Sequence, residues 1–290
     1  MNQNANIWPS FLQQKLDSLR SLPIINQCAH DWRNRSAINV CEVGLTGFFM
    51  FKFLAPELHN NINWTLYYRK ESDIESWTEG LIDWCSECDM QLQNNIDHKS
   101  YTFKNKINRW HIELRAYQNI DFFRTQDLSR FNLFALSFGL SDLPVSTLHD
   151  FFQTCYQYNM AVFLGPLYDG TLRWIPESDG DGHMIDQFHA SMLNENTTDK
   201  EQPGGVNAAR MASTMLSQQS FTVLESEHIL SACQHQNSFL RSLIQNIKMD
   251  DGSSANSVAD RWSSSKFYML AANKLKARIG FRLTYAKSVK

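Results

Sequence analysis

The 290 residues contain no run near the roughly 20 consecutive apolar residues that cross a bilayer, so no membrane partner is expected. A cationic excess is missing too. With 27 Lys and Arg against 30 Asp and Glu the net charge is −3, and phosphate binding needs clustered cations. The nearest basic run, Lys266 to Lys290, is interleaved with apolar residues, so nucleic acid is not an expected partner. Cysteine is scarce: Cys28, Cys41, Cys85, Cys88, Cys155 and Cys233 are too few for a disulfide scaffold in a chain this long. The opening Met1-Asn2-Gln3-Asn4-Ala5-Asn6 has no feature of a signal or transit peptide, and a cytoplasmic protein with reduced thiols is the expectation. No G-x-G-x-x-G occurs, which argues against a dinucleotide oxidoreductase. No internal repeat or linker divides the chain. One domain over residues 1–290 is expected, with an N-terminal helical segment (1–36) and an α/β core (37–290).

What is present is a foldable core: 43% hydrophobic against 20% charged residues is unlike a disordered chain. Trp8, Phe11, Leu12, Leu16, Leu19 and Leu22 recur at helical spacing until Pro23. Ile38 to Val43 is an apolar run closed by Gly44, a buried strand entering a tight turn. Phe48 to Leu58 resumes a helical pattern and Trp64 to Tyr68 is a second strand, making a βαβ unit, which is parallel and right-handed almost without exception. Further along, the pattern predicts helices at 72–96, 145–158, 184–193, 206–218, 228–247 and 260–274. It predicts strands at 110–116, 132–137, 161–164, 221–224 and 277–286, with Asp169-Gly170 turning a hairpin between 161–164 and 171–175. Polar loops are expected at 194–205 and 250–257. This alternation argues a doubly wound, mostly parallel seven-stranded sheet with helices on both faces. The strand at 38–43 should be central, between those at 64–68 and 132–137.

The chemically informative segment is Val40-Cys41-Glu42-Val43-Gly44-Leu45-Thr46-Gly47. An acidic strand end, a glycine turn and a helix let backbone N–H groups approach a ligand closely. Cys85-Ser86-Glu87-Cys88 is a lone pair of cysteines with no second pair at metal spacing. Asp179-Gly180-Asp181-Gly182-His183 has Ala190 where a calcium loop needs Glu, so it reads as a turn and helix cap and no metal is expected. Phe48, Phe49, Phe51 and Phe53 read as a core stripe, with Phe48 also near enough to occupy ligand space. A Ser-His-Asp or Cys-His grouping cannot be assembled from these residues in sequence.

The glycine segment, followed by Phe53-Leu54-Ala55-Pro56-Glu57-Leu58 and Trp64-Thr65-Leu66, resembles a bacterial family of class I S-adenosylmethionine-dependent methyltransferases. That family reads D-L-G-A-G-T-G, Y-L-A-P-R-L and W-x-L-V-D at these places. The likeness continues in Leu136 to Leu143, in Tyr168-Asp169-Gly170-Thr171-Leu172-Arg173-Trp174-Ile175-Pro176, in Thr198-Asp199-Lys200, at Trp262 and in Arg278-Ile279-Gly280. The resemblance implies a Rossmann-like methyltransferase fold and S-adenosylmethionine as cofactor. It assigns Glu42 and Gly44 to the methionine end, with Gly47 supporting the turn, Tyr68 to the ribose, and Ser137 and Asp142 to the border of the fourth strand. The chain departs from the pattern at Thr46, Phe48, Phe281 and Leu283, and Tyr68 stands where the family has a ribose-binding acid. Two readings follow: a methyltransferase acting on a small molecule, or a degenerate relative serving as a binding or regulatory subunit, with a protein as partner.

Overall fold

The computed structural model describes residues 7–43, 48–58, 61–68, 74–97, 99–116, 128–136, 145–194, 208–249 and 258–288. In chain order its elements are α1 (Ile7–Gln13), α2 (Leu16–Arg20), α3 (Pro23–Trp32), β1 (Ala37–Val43), α4 (Phe49–Leu58), β2 (Asn61–Tyr68), α5 (Ile74–Glu87), β3 (Gln91–Ile96), β4 (Ser100–Lys104) and β5 (Arg109–Ala116). Then come β6 (Leu133–Leu136), α6 (Val145–Gln157), β7 (Ala161–Ile175), α7 (Asp181–Asn194), α8 (Ala208–Gln218), β8 (Phe221–Ala232), α9 (Asn237–Met249), α10 (Val258–Ala271) and β9 (Lys276–Ser288).

The described strands form one sheet in the order β3-β4-β5-β2-β1-β6-β7-β9-β8. From β5 to β7 the neighbours are parallel. β3 and β4 extend one side antiparallel, and β9 runs antiparallel between β7 and β8. The expected mostly parallel seven-stranded sheet is therefore corrected to a mixed sheet of nine. β1 lies where the sequence predicts, between β2 and β6. It is buried throughout its second half because parallel strands are covered on both faces: Ile38 and Val40 join one core cluster, Cys41 and Val43 the other. On the first face Phe11, Ile25, Phe53, Leu240 and Trp262 cover the sheet from α1, α3, α4, α9 and α10. On the second, Phe152 and Leu216 do so from α6 and α8. Among the described residues no helix is long and apolar enough to cross a membrane.

Three local readings are corrected. The helix predicted through residue 96 stops at Glu87, where Asp89 takes a left-handed conformation (φ 57°) and the chain turns into β3. Asp169-Gly170 does not turn a hairpin: β7 continues to Ile175, paired with β9 on both sides of an irregularity between Tyr168 and Leu172. The Asp169 carboxylate accepts the Thr171 N–H at 2.8 Å there, which satisfies the turn locally while the ladder resumes. The helix predicted from residue 228 begins at Asn237, because His228 to Ala232 stay paired with β9.

After β1 and β2 the chain goes to the edge at β3 and comes back through β4 to β5 beside β2, then crosses to the other side of β1 with β6 and β7. The order thus reverses between β1 and β6, where Val43 faces Leu136. Open α/β sheets bind ligands outside the carboxyl ends of the strands at such a switch point.

Candidate active site at the ends of the central strands

Of the six residues assigned from sequence, Glu42 and Tyr68 are described. Gly44, Gly47, Ser137 and Asp142 lie outside the described residues, as do Thr198 to Lys200; Gly44 and Ser137 directly follow the switch-point ends of β1 and β6.

Glu42 is buried, and its carboxyl is engaged within the fold. The Trp64 indole donates to Oε2 at 2.7 Å, and the backbone N–H groups of Met50 and Phe51 donate to the same carboxyl. Those are orphan donors of the first turn of α4, so Glu42 ties the end of β1 to the start of α4. Burial pushes the carboxyl from the ordinary 4.5 up to about 8, against the opposing pull of its three donors. The acid thus bonds β2 and the first turn of α4 at the end of β1.

A raised folded-state pKa has a signed consequence. The unfolded chain ionises Glu42 first, so its contribution to stability is whole below about pH 4.5 and is lost as pH rises to about 8. Glu42→Gln, which stays neutral, should remove that dependence. Urea unfolding of both proteins at pH 5 and 8.5 should show the variant gaining on wild type at the higher pH. A gap that does not change with pH would refute the assignment.

Tyr68 closes β2 and is buried in the same aromatic-rich cluster as Phe48, Phe51 and Trp64. Phe51 packs edge-on against Trp64 (5.2 Å) and Trp110 (5.4 Å), so the run from Phe48 to Phe53 serves the core. Across the sheet, Arg115 at the end of β5 bonds Glu113 at 2.8 Å.

Sequence reasoning missed a polar pair beyond the carboxyl end of β6, whose last residue aligns with Leu164 of β7. Four residues further on, the Tyr168 hydroxyl lies 2.7 Å from His189 Nε2 on α7, and Trp8 of α1 stacks on Tyr168 at 4.9 Å. Burial lowers the His189 pKa and raises that of Tyr168. The partners are 21 residues apart and the stacked Trp8 comes from α1, separations no local pattern reveals.

No protein-family model matches the sequence, and no curated protein matches it. Among solved structures, a cyclopropane-fatty-acyl-phospholipid synthase-like protein from Lactobacillus casei superposes with a TM-score of 0.50. The two are 10% identical, over 90% of this chain and 88% of that one. This is the class I methyltransferase fold. A cyclopropane synthase from Mycobacterium tuberculosis covers 91% of this chain and 83% of its own at 11% identity, with a TM-score of 0.39. Within the class I methyltransferase fold, the frame assembled by Glu42, Trp64 and α4 sits at the switch point, and the Tyr168–His189 pair stands to one side of it.

Proposed function

We propose that the protein is an S-adenosylmethionine-dependent methyltransferase acting on a small molecule. The observation that carries this reading is the end of β1 at the switch point, pinned to α4 through Glu42, with Gly44 next in the chain. The donor chemistry suits the cofactor: a glycine turn offers backbone N–H groups, and the neutral, inward carboxyl leaves no fixed anion competing for them. Gly44 and Gly47 would hold the methionine end, Tyr68 the ribose, and Ser137 and Asp142 the side toward β6. When bound, the cofactor supplies an activated methyl group. The chain's own work is to orient donor and acceptor and exclude water. On the acceptor side, His189 Nε2 and the Tyr168 hydroxyl, 2.7 Å apart, would be the pair to exchange a proton.

A second reading, a degenerate relative that binds or regulates a partner, is favoured by the missing carboxylate at the end of β2 and by the burial of Tyr68. Tyr68→Phe discriminates because it removes the hydroxyl alone. If the phenol meets the ribose, cofactor affinity in calorimetry should fall about tenfold, the value of one hydrogen bond. Unchanged affinity would confine Tyr68 to packing.

A further inference from the structure

The two edges of the sheet are finished differently. β3 is six residues long, carries Gln91, Gln93, Asn94 and Asn95, and shifts register against β4 between Leu92 and Asn94. Short, polar and bulged edges resist pairing with another chain. β8 is neither short nor bulged, although its middle is polar. It is 12 residues long, pairs with β9 in unbroken register from Phe221 to Ala232, and contains no Pro, Lys or Arg. Among the described residues no strand pairs with its outer side. Leu224 is 41% and Ile229 58% exposed. Its two acids are paired across the ladder, Arg282 of β9 donating to Glu225 at 3.0 Å and to Glu227, so they restrict which registers a second strand can take.

We propose that β8 pairs antiparallel with β8 of a second copy of this chain, joining the two sheets about a two-fold axis. Charge selects the register, because like charges directly opposite one another are destabilising. An axis at Ser226 sets Glu225 against Glu227 of the second copy, and an axis at Glu225 or Glu227 sets that acid against itself. An axis at His228 avoids all three. Leu224 then meets Ala232 of the second copy, Ser226 meets Leu230, and Glu227 meets Ile229. Pairing from Leu224 to Ala232 makes about nine main-chain hydrogen bonds, near the complement of a standard interface. Such a contact is isologous and closes at two subunits.

Sedimentation of the full chain at 1–100 µM tests this, with two variants at exposed or half-exposed edge positions. Wild type should sediment at twice the monomer mass. The double change Leu224→Glu with His228→Glu puts carboxylates around the axis and should raise the dimer dissociation constant at least about tenfold. Ile229→Lys faces Glu227 of the second copy and should leave it unchanged or lower. Hydrogen exchange of wild type guards against a misfolded variant: β8 amides should be protected at high concentration and lose protection on dilution. A wild-type monomer at 100 µM, a dimer indifferent to the double change, or β8 amides that exchange alike at all concentrations would overturn the proposal.

Discussion

Replacing Asp181 by alanine is expected to lower the unfolding free energy by about 3–5 kcal/mol, the range for removing one partner of a buried ion pair. Lys266 is fully buried, with its ammonium 2.7 Å and 2.8 Å from the two carboxylate oxygens of Asp181. The Trp262 indole donates to the same carboxylate at 2.7 Å, and the Ser178 N–H and hydroxyl donate at 2.9 and 3.0 Å. Burial alone would pull the ammonium of Lys266 down; Asp181 opposes it. Without the carboxylate, the buried cation keeps the face of Trp174, 5.3 Å away, and the weaker attraction of Glu177, and α7 loses the acid that starts it. The loop from β7, α7 and α10 is held at this one point. Coupling Asp181→Ala with Lys266→Met should recover a large part of the loss, since the second change removes the orphaned charge. Equilibrium unfolding in urea measures both, and a loss under about 1 kcal/mol for Asp181→Ala would show the pair to be solvated in the folded protein.

Gly44→Val should abolish cofactor binding while leaving the melting temperature of the unliganded protein within a few degrees. Gly44 follows the end of the central strand at the switch point, and on the proposed reading the cofactor lies against its backbone, where a branched Cβ would displace it. At least a roughly hundredfold rise in Kd is expected, with circular dichroism unchanged. Wild-type affinity in the folded variant would put the pocket elsewhere.

The centre of the sheet was legible because its physics is local. β1 and β6 are buried on both faces and read as short apolar runs next to turns. The edges were not. Gln91 to Ile96 is exposed at every position and carries no alternation to distinguish a strand from the tail of α5. β8 was half read for the same reason: as an edge strand it buries only Phe221, Leu230 and Ala232, so its later half mimicked a helical spacing. Of the site, the strand-end acid was visible but its partners were not. Trp64 lies 22 residues on, and its bond to Glu42 exists only because β1 and β2 pair in that register. Tyr168 and His189 were likewise joined only by the packing of α7 against β7.

The account's central claim is that the switch point beside Glu42 binds S-adenosylmethionine, and titration of the wild-type protein with the cofactor and its demethylated product tests it most directly. Calorimetry should give a saturable isotherm with micromolar Kd for both, and the melting temperature should rise with ligand concentration, as binding to the native state alone requires. Flat heats for both ligands, with an unshifted melting temperature at millimolar concentration, would contradict it and leave the degenerate reading standing.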